Sequence, residues 1–458
     1  MTVGDDGSAA LRELSESLPP GVVTTDPDAL EKYRWDRALD PAAAPPLAAV
    51  RAESTAHVQT AMRWATKHRV PVVPRGAGSG LSGGAGGLAH GIVVSTERMR
   101  AISVDPVTRI AVTQPGLFNA EVKKAAADAG LWYPPDPSSF EICSIGGNVA
   151  TNAGGLCCVK YGVTTDYVLG MEVVLADGRA IRLGGPRVKD VAGLSLTKLF
   201  VGSEGTLGII TEVTLRLMPP APPAHTLVAT FKETAAATAA ILAITSAIRP
   251  SMLEYMDNAS INAVEDVMKM GLDRSAAAIV VAKSDARDAA EVKILLDACH
   301  GNAASEVFDT DDEVEGEMFV TARRAVIPAV ERKGRLLLED VGVPVPRLPE
   351  LVSGVERIGI EREVMVALIA HAGDGNTHPL IVIDPADPDS ERRAALAFGE
   401  VMDLAIALGG TITGEHGVGR LKRPWLVNQV GEDVLDVTRA IKNALDPLGI
   451  LNPGTILA

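Results

Sequence analysis

Pro74-Arg-Gly-Ala-Gly-Ser-Gly-Leu-Ser-Gly-Gly-Ala-Gly-Gly87 decides the fold of this chain. Seven of the thirteen residues from Arg75 onward are glycine. Glycine buries no side chain and loses the most backbone freedom on folding, so packing does not select such a run. It suits positive-φ turns and close approach of backbone to a ligand, and successive N–H groups in such turns form anion-binding nests. A flexible linker has a similar composition. Residues 70–74 and 91–95, on either side, both read as short strands, so the run belongs inside a folded unit. Gly78, Gly80 and Gly83 match the G-x-G-x-x-G pattern. That pattern marks a dinucleotide on a helix N-terminus only when a helix follows. More glycines and a strand follow here. An ordinary Rossmann site is excluded, and loop N–H groups alone would hold the phosphates.

Two further glycine clusters lie at residues 144–155 and 201–211. Three glycine-rich turns between strand-like runs suit a large, bent ligand contacted mainly by backbone. Pro134-Pro-Asp-Pro-Ser-Ser139 is too rich in proline for a regular element and predicts a rigid turn. Helical spacing is expected from Leu11 to Leu18 and over 54–69, where Ser54 or Thr55 can cap. A strand is expected over 107–113, a helix over 119–129 and a hairpin over 168–184.

The chain has 458 residues and a net charge of −15, which argues against nucleic acid or an anionic membrane as its main partner. Its length predicts two or three domains. No apolar run reaches the ~18 residues a membrane span needs. The acidic N-terminus lacks the form of a signal peptide, so the expected location is cytoplasmic or peripheral at the inner face of the membrane. Cys143, Cys157, Cys158 and Cys299 show no Cys-x-x-Cys spacing, so neither a disulfide framework nor an iron–sulfur cluster is expected.

Met218-Pro-Pro-Ala-Pro-Pro223 cannot continue a strand and predicts a hinge. Beyond it, strand-like runs at 226–231, 278–282, 364–370 and 380–383 alternate with alanine-rich helices near 233–247, 286–299 and 389–408. Two clusters there carry chemistry: His371-Ala-Gly-Asp-Gly-Asn-Thr-His378 and Gly414-Glu-His-Gly-Val-Gly419. Two imidazoles and a carboxylate make a three-ligand set for a divalent ion with open positions. Histidines hydrogen-bonded in a core are the competing interpretation.

In their order along the chain, residues 75–80, 134–139, 146–155, 160–162 and 202–208 resemble the FAD domain of the vanillyl-alcohol-oxidase-type flavoprotein superfamily. From about residue 20 to the end the chain resembles the glycolate oxidase D-subunit and D-lactate dehydrogenase group. The resemblance implies an α+β protein. An FAD-binding domain of two α/β subdomains spans 1–218 and is completed by 411–458. An α/β cap or substrate domain with an antiparallel sheet spans 219–410.

The resemblance implies flavin contacts from Arg75, Gly76, Ala77, Gly78, Ser79, Gly80 and Leu81. It adds Pro135, Asp136 and Ser138 beside the ring and pyrophosphate. Ser144, Gly146, Gly147, Asn148, Ala150, Asn152, Gly154, Gly155 and Tyr161 follow, then Glu204, Gly208, Ile210 and Asn452. It implies a divalent metal (zinc, manganese or iron) on His371, His378 and Glu415, with Asp374 as an alternative or supporting ligand, and His416 as the base. Arg323 is implied to bind the substrate carboxylate. Some superfamily members attach FAD covalently through His or Tyr. No histidine lies in 75–87 and His90 falls just beyond, so the flavin is expected to be dissociable.

The implied reaction is oxidation of a small D-2-hydroxy acid. Relatives acting on 2-hydroxyglutarate carry polar groups where this chain has Ile327 and Leu338, which points to D-lactate or glycolate. The electron acceptor stays open between a quinone, a cytochrome, a carrier flavoprotein and an iron–sulfur subunit, and so does a homodimer. The alternatives are a flavoprotein subunit of a multi-subunit glycolate oxidase, a D-2-hydroxyglutarate dehydrogenase and another flavin-dependent alcohol oxidase.

Overall fold

The structure, a computed structural model, describes residues 5–286 and 289–457 and divides into two compact units. The first is built from residues up to 153, from 163–221 and from 415 onward; the second is built from 154–162 and 222–414. Residues 154–162 and 411–414, assigned in sequence to the first domain, group with the second unit. The reason is packing: Leu156 joins the apolar core of the second unit, and a Cβ on Gly373 would stand 2.7 Å from Val159 Cγ2.

In the first unit β1 (Val23–Thr24), β2 (Ala48–Arg51), β3 (Val72–Arg75) and β4 (Ile92–Ser95) make a sheet in the order β1-β2-β4-β3. β2, β4 and β3 are parallel, and β1 is antiparallel to β2. Such a sheet is covered on both faces, which is why all of β4 is buried. Helix Thr55–His68 packs Val58, Ala61, Met62 and Ala65 into the same core. Ser54 caps it by accepting from the His57 N–H, and Arg69 closes it at φ 52.

A second sheet holds β5 (Ile102–Asp105), β6 (Ile110–Thr113), β7 (Val168–Val174), β8 (Ala180–Gly184) and β9 (Ile209–Arg216), antiparallel in the order β5-β6-β9-β7-β8. Residues 107–109, expected as strand, form the β5–β6 turn. Asp105 accepts from the Val107 N–H at 2.9 Å, and Arg109 has φ 56. The second glycine cluster also departs from expectation. It forms the helix Ile145–Thr151, because the Ser144 Oγ caps it and Ile145 and Val149 bury in the core of the second sheet. The C-terminal segment returns to β3: Val72 N–H donates to Ile450 O and Asn452 N–H to Val72 O, both at 2.8 Å.

The second unit is one antiparallel sheet of eight strands: β10 (His225–Phe231), β11 (Met252–Asp257), β12 (Ala278–Ser284), β13 (Glu306–Thr310), β14 (Arg335–Leu338), β15 (Val341–Gly342), β16 (Val366–His371) and β17 (Asn376–Ile383). Seven follow the order β13-β10-β12-β11-β16-β17-β14, and β15 also pairs with β17. Beyond the expected runs, the structure adds β11, β13, β14 and β15 and the helices Asn258–Met268, Glu313–Arg324 and Leu348–Arg362. The helix expected over 286–299 is Ala289–Gly301, and residues 287 and 288 of that expectation lie outside the described ones.

Side chains alternate across a strand with period two. Met252 and Met256 of β11, Ala367 and Ile369 of β16, and Leu380 and Val382 of β17 all join one core cluster. Their parity puts Glu254, His371 and His378 on the same face of the sheet. Helix Glu313–Arg324 contributes Val320 and Ala322 to that cluster. Among the described residues, no helix is long and apolar enough to cross a membrane.

Candidate functional site

In the first unit, β3 carries Arg75 to the start of the glycine loop and turns it inward. Its guanidinium donates to Ala85 O at 2.8 Å and Lys32 O at 3.3 Å. Burial lowers its pKa, with the Asp36 charge opposing. Gly78 has φ 73, and a Cβ there would overlap the Arg75 guanidinium. The Ala77 N–H donates to Ser144 Oγ at 3.1 Å. The N–H groups of Gly78, Ser79, Gly80 and Leu81 donate to no protein group among the described residues. Four successive donors without a protein acceptor, on a loop with no bulky side chain until Leu81, make an anion nest. These residues fit the pyrophosphate of FAD.

The polar side chains around the loop brace it instead of pointing outward. Asn148 Oδ1 accepts from Asn119 Nδ2 at 3.1 Å, and Asn119 also donates to Pro135 O at 3.3 Å. Asn152, at φ 52, accepts from the Thr165 N–H at 2.9 Å. Asn452 Nδ2 donates to Gly84 O at 2.9 Å and to Glu204 O at 2.8 Å. The Glu204 carboxyl accepts the N–H groups of Val418 and Gly419 at 2.7 and 2.8 Å, and the Glu204 N–H donates to Ala150 O at 2.8 Å. Burial pushes the Glu204 pKa up to about 7 against the pull of those two donors and Lys422.

The other positions expected at the flavin have varied surroundings. Ile210 lies in the apolar core of the second sheet, and a Cβ on Gly208 would overlap Val173, so both positions serve packing. Ser138 is exposed and Asp136 half-buried. Gly146 and Gly147 lie inside the helix Ile145–Thr151, and a Cβ on Gly76 would overlap Ser144. Gly154, Gly155 and Tyr161 belong to the second unit. There the Tyr161 hydroxyl and the Lys160 ammonium both donate to the buried carboxylate of Asp285.

Sheet register builds the polar cluster of the second unit. Glu254 pairs with His371 across β11 and β16, and His371 pairs with Asn376 across β16 and β17, so His378 sits diagonally from His371. The two imidazole centroids are 5.1 Å apart with ring planes at 86°. His371 Nδ1 donates to Glu254 Oε1 at 2.8 Å. His378 Nδ1 donates to Glu339 O at 3.3 Å and lies 3.7 Å from Asp340 Oδ1. A proton on each Nδ1 leaves the lone pair on Nε2, the atom a metal would use.

Arg323 is not on a solvated helix face. It is 1% exposed, and its Nη2 lies 2.8 Å from Glu254 Oε2. Asp340 is fully buried and accepts from Asn376 Nδ2 at 3.0 Å, Thr413 Oγ1 at 2.7 Å and the Gly414 N–H at 3.0 Å. Gly414 is required there, since a Cβ would overlap Asn376. Glu415 and His416 follow Gly414 in the chain and begin the returning segment of the first unit. In that unit Ser82 Oγ donates to Gly417 O at 2.7 Å and to His416 O at 3.3 Å. Ile327 and Leu338 are half-buried against the apolar cluster of the second unit.

Sequence reasoning missed Glu254, Glu339 and Asp340. Each is a fully buried carboxyl residue. The signal was a lone Glu inside the otherwise apolar run Met252–Met256, because a buried charge needs a partner.

A nest of unengaged N–H groups braced by buried polar side chains defines a flavin-binding unit; the second unit carries a buried His–Glu–Arg cluster. A model of the FAD binding domain matches residues 46–184, and a model of the C-terminal domain of FAD linked oxidases matches residues 222–456. The chain belongs to the FAD-linked oxidases, and it is an FAD-dependent oxidoreductase. It is 40% identical to a glycolate oxidase subunit GlcD from Bacillus subtilis (strain 168), over 90% of this chain and 89% of that one. It is 33% identical to a D-lactate dehydrogenase from Archaeoglobus fulgidus, over 98% of each. The fold is shared with a p-cresol methylhydroxylase at a TM-score of 0.81, with 18% identity, 99% of this chain and 97% of that one.

Proposed function

We propose that this chain oxidises a small D-2-hydroxy acid, D-lactate or glycolate, to the 2-oxo acid. The observation that carries this reading is the buried pair His371 and His378, 5.1 Å apart and oriented through Nδ1, in a chain whose relatives are named for glycolate and D-lactate. FAD would supply the hydride acceptor, and a divalent ion held by His371, His378 and Glu415 would supply an electrophile that lowers the energy of the substrate alkoxide. The donor set suits zinc, manganese or iron: two neutral imidazoles and a carboxylate, a three-ligand set that leaves coordination positions open. His416 takes the proton of the C2 hydroxyl. Arg323 offers the planar cation that a carboxylate pairs with best. Loop N–H groups of residues 78–81 and the braced segment 134–153 would orient the cofactor.

Ile327 and Leu338 supply no group to pair a second carboxylate, and leaving one unpaired costs on the order of a few kcal/mol. That favours monocarboxylic acids. The word "subunit" in the name of the Bacillus relative supports a second reading, in which another chain carries electrons away. A quinone, a cytochrome or an iron–sulfur subunit could all serve.

One experiment tests the core of this proposal. The yellow protein is mixed without oxygen with D-lactate, L-lactate, glycolate and D-2-hydroxyglutarate, and flavin absorbance is followed. D-lactate or glycolate should bleach it at least tenfold faster than D-2-hydroxyglutarate. Equal inertness toward all four acids would remove the hydroxy-acid reading, and faster bleaching by D-2-hydroxyglutarate would remove the size argument.

A further inference from the structure

We propose that Glu254 is a positioning residue: one of its oxygens fixes His371 as a metal ligand, and the other fixes Arg323 as the anion-binding group. This rests on the reading of His371 and Arg323 given above.

Glu254 has no exposed surface and sits in β11 between apolar neighbours, where a carboxylate is costly unless its oxygens are matched. One oxygen is matched by a hydrogen bond, and the other by an ion pair that is not a hydrogen bond. Oε1 accepts from His371 Nδ1 at 2.8 Å, and Oε2 faces Arg323 Nη2 at 2.8 Å. The first contact is set by register, since Glu254 and His371 are cross-strand partners. The second is set by helix Glu313–Arg324, whose buried residues include Val320, Ala322 and Arg323. The hydrogen bond to Oε1 orients the His371 ring and keeps the proton on Nδ1, and the ion pair on the other side favours the ionised carboxylate that accepts it. The other nitrogen, Nε2, then carries the lone pair. An acceptor behind a metal-bound imidazole also makes that imidazole the better donor. The same charge offsets the buried guanidinium and keeps it beside the cluster, where a planar cation can pair with an anion. Glu254 thus ties the metal-binding face of the cluster to its anion-binding face, although it touches neither ligand.

Glutamine is the discriminating replacement. It has the same shape but offers one oxygen and one NH2, so an N–H must face either His371 Nδ1–H or Arg323. Metal-stripped, FAD-loaded protein is titrated with Zn2+ against a chromogenic chelator. Glu254→Gln should bind Zn2+ about 10–100-fold more weakly than wild type with its flavin spectrum unchanged. Glu254→Asp keeps both oxygens and should recover part of the loss. Independently, 15N chemical shifts of His371 in the metal-free wild type should show the Nδ1–H tautomer, a measurement that needs no variant to fold. A flavin-loaded Glu254→Gln protein that holds Zn2+ as tightly as wild type, or an Nε2–H tautomer at His371, would overturn the proposal. A wild type that shows the Nδ1–H tautomer and binds no Zn2+ would instead sink the metal reading and leave the hold on His371 standing.

Discussion

At Glu204 the main chain is left-handed, with φ 50, and the carboxyl group is buried. The Glu204 N–H and its carbonyl are held by Ala150 and Asn452, and its side chain by the N–H groups of Val418 and Gly419. Three distant segments of the first unit therefore meet at one residue. The glycine motif at 202–208 drew attention to Glu204 in the sequence, and its family resemblance suggested contact with the cofactor. Its donors stand 214 and 215 positions away, so no local pattern could reveal the clamp. The titration follows from burial. The folded-state value of about 7 lies above the ordinary 4.5, so the folded state binds this proton more tightly than the unfolded chain. The resulting stability is fully present below pH 4.5 and is lost as pH rises toward 7. Each pH unit inside that window is worth up to about 1.4 kcal/mol. Glu204→Gln cannot titrate. The melting temperature of wild type relative to this variant should fall by a few degrees between pH 5 and pH 8. An identical difference at both pH values would rule out Glu204 as the titrating group.

At the scale of elements, the hairpin of β16 and β17 decides the chemistry of the second unit. The sequence displayed its ingredients: an apolar run ending at His371, a glycine break, and His378 seven residues on. Register did the rest, and register was not legible. It turns the pair diagonal on one face and brings β11 alongside, so Glu254 meets His371 from 117 residues away. The glycine cluster at 144–155 misled for the opposite reason. Its composition disfavours helix, but a serine cap and buried Ile145 and Val149 outweigh the roughly 1 kcal/mol cost of each glycine. Helices Thr55–His68, Thr234–Ala247 and Ser390–Ala407 and the proline-rich boundary at 219–223 were legible because their patterns are local, whereas Leu348–Arg362 was not. A metal prediction belongs to the hairpin. His371→Ala or His378→Ala removes one of two imidazoles and should leave FAD bound. Elemental analysis should then fall from about one divalent ion per chain to near zero, as expected when a three-ligand site loses a ligand. A variant that keeps its full metal content would place the ion elsewhere.

For the whole molecule, the flavin unit is assembled from three stretches of chain, the last beginning at residue 415. Its cradle offers backbone N–H groups, and its Asn, Ser and Glu side chains are spent on bracing those groups. Hydrogen bonds from N–H to phosphate oxygens are reversible. His90, the histidine nearest the glycine loop in sequence, is exposed. FAD should therefore be non-covalent. Unfolding in acid should release yellow cofactor into the supernatant, and colour that stays with the precipitated chain would disprove this. A ligand that binds only the folded unit stabilises it by mass action, by about 2.7 kcal/mol when free ligand is a hundred times Kd. The melting temperature of FAD-stripped protein should accordingly climb with added FAD and keep climbing past one equivalent. A covalent or structurally irrelevant flavin gives no such dependence. Because the three stretches close one unit, the shift should be shared by probes in all of them: helix Thr55–His68, strand β9 and the C-terminal helix Glu432–Leu445. A shift confined to one stretch would mean that FAD binds a local site and does not complete the unit.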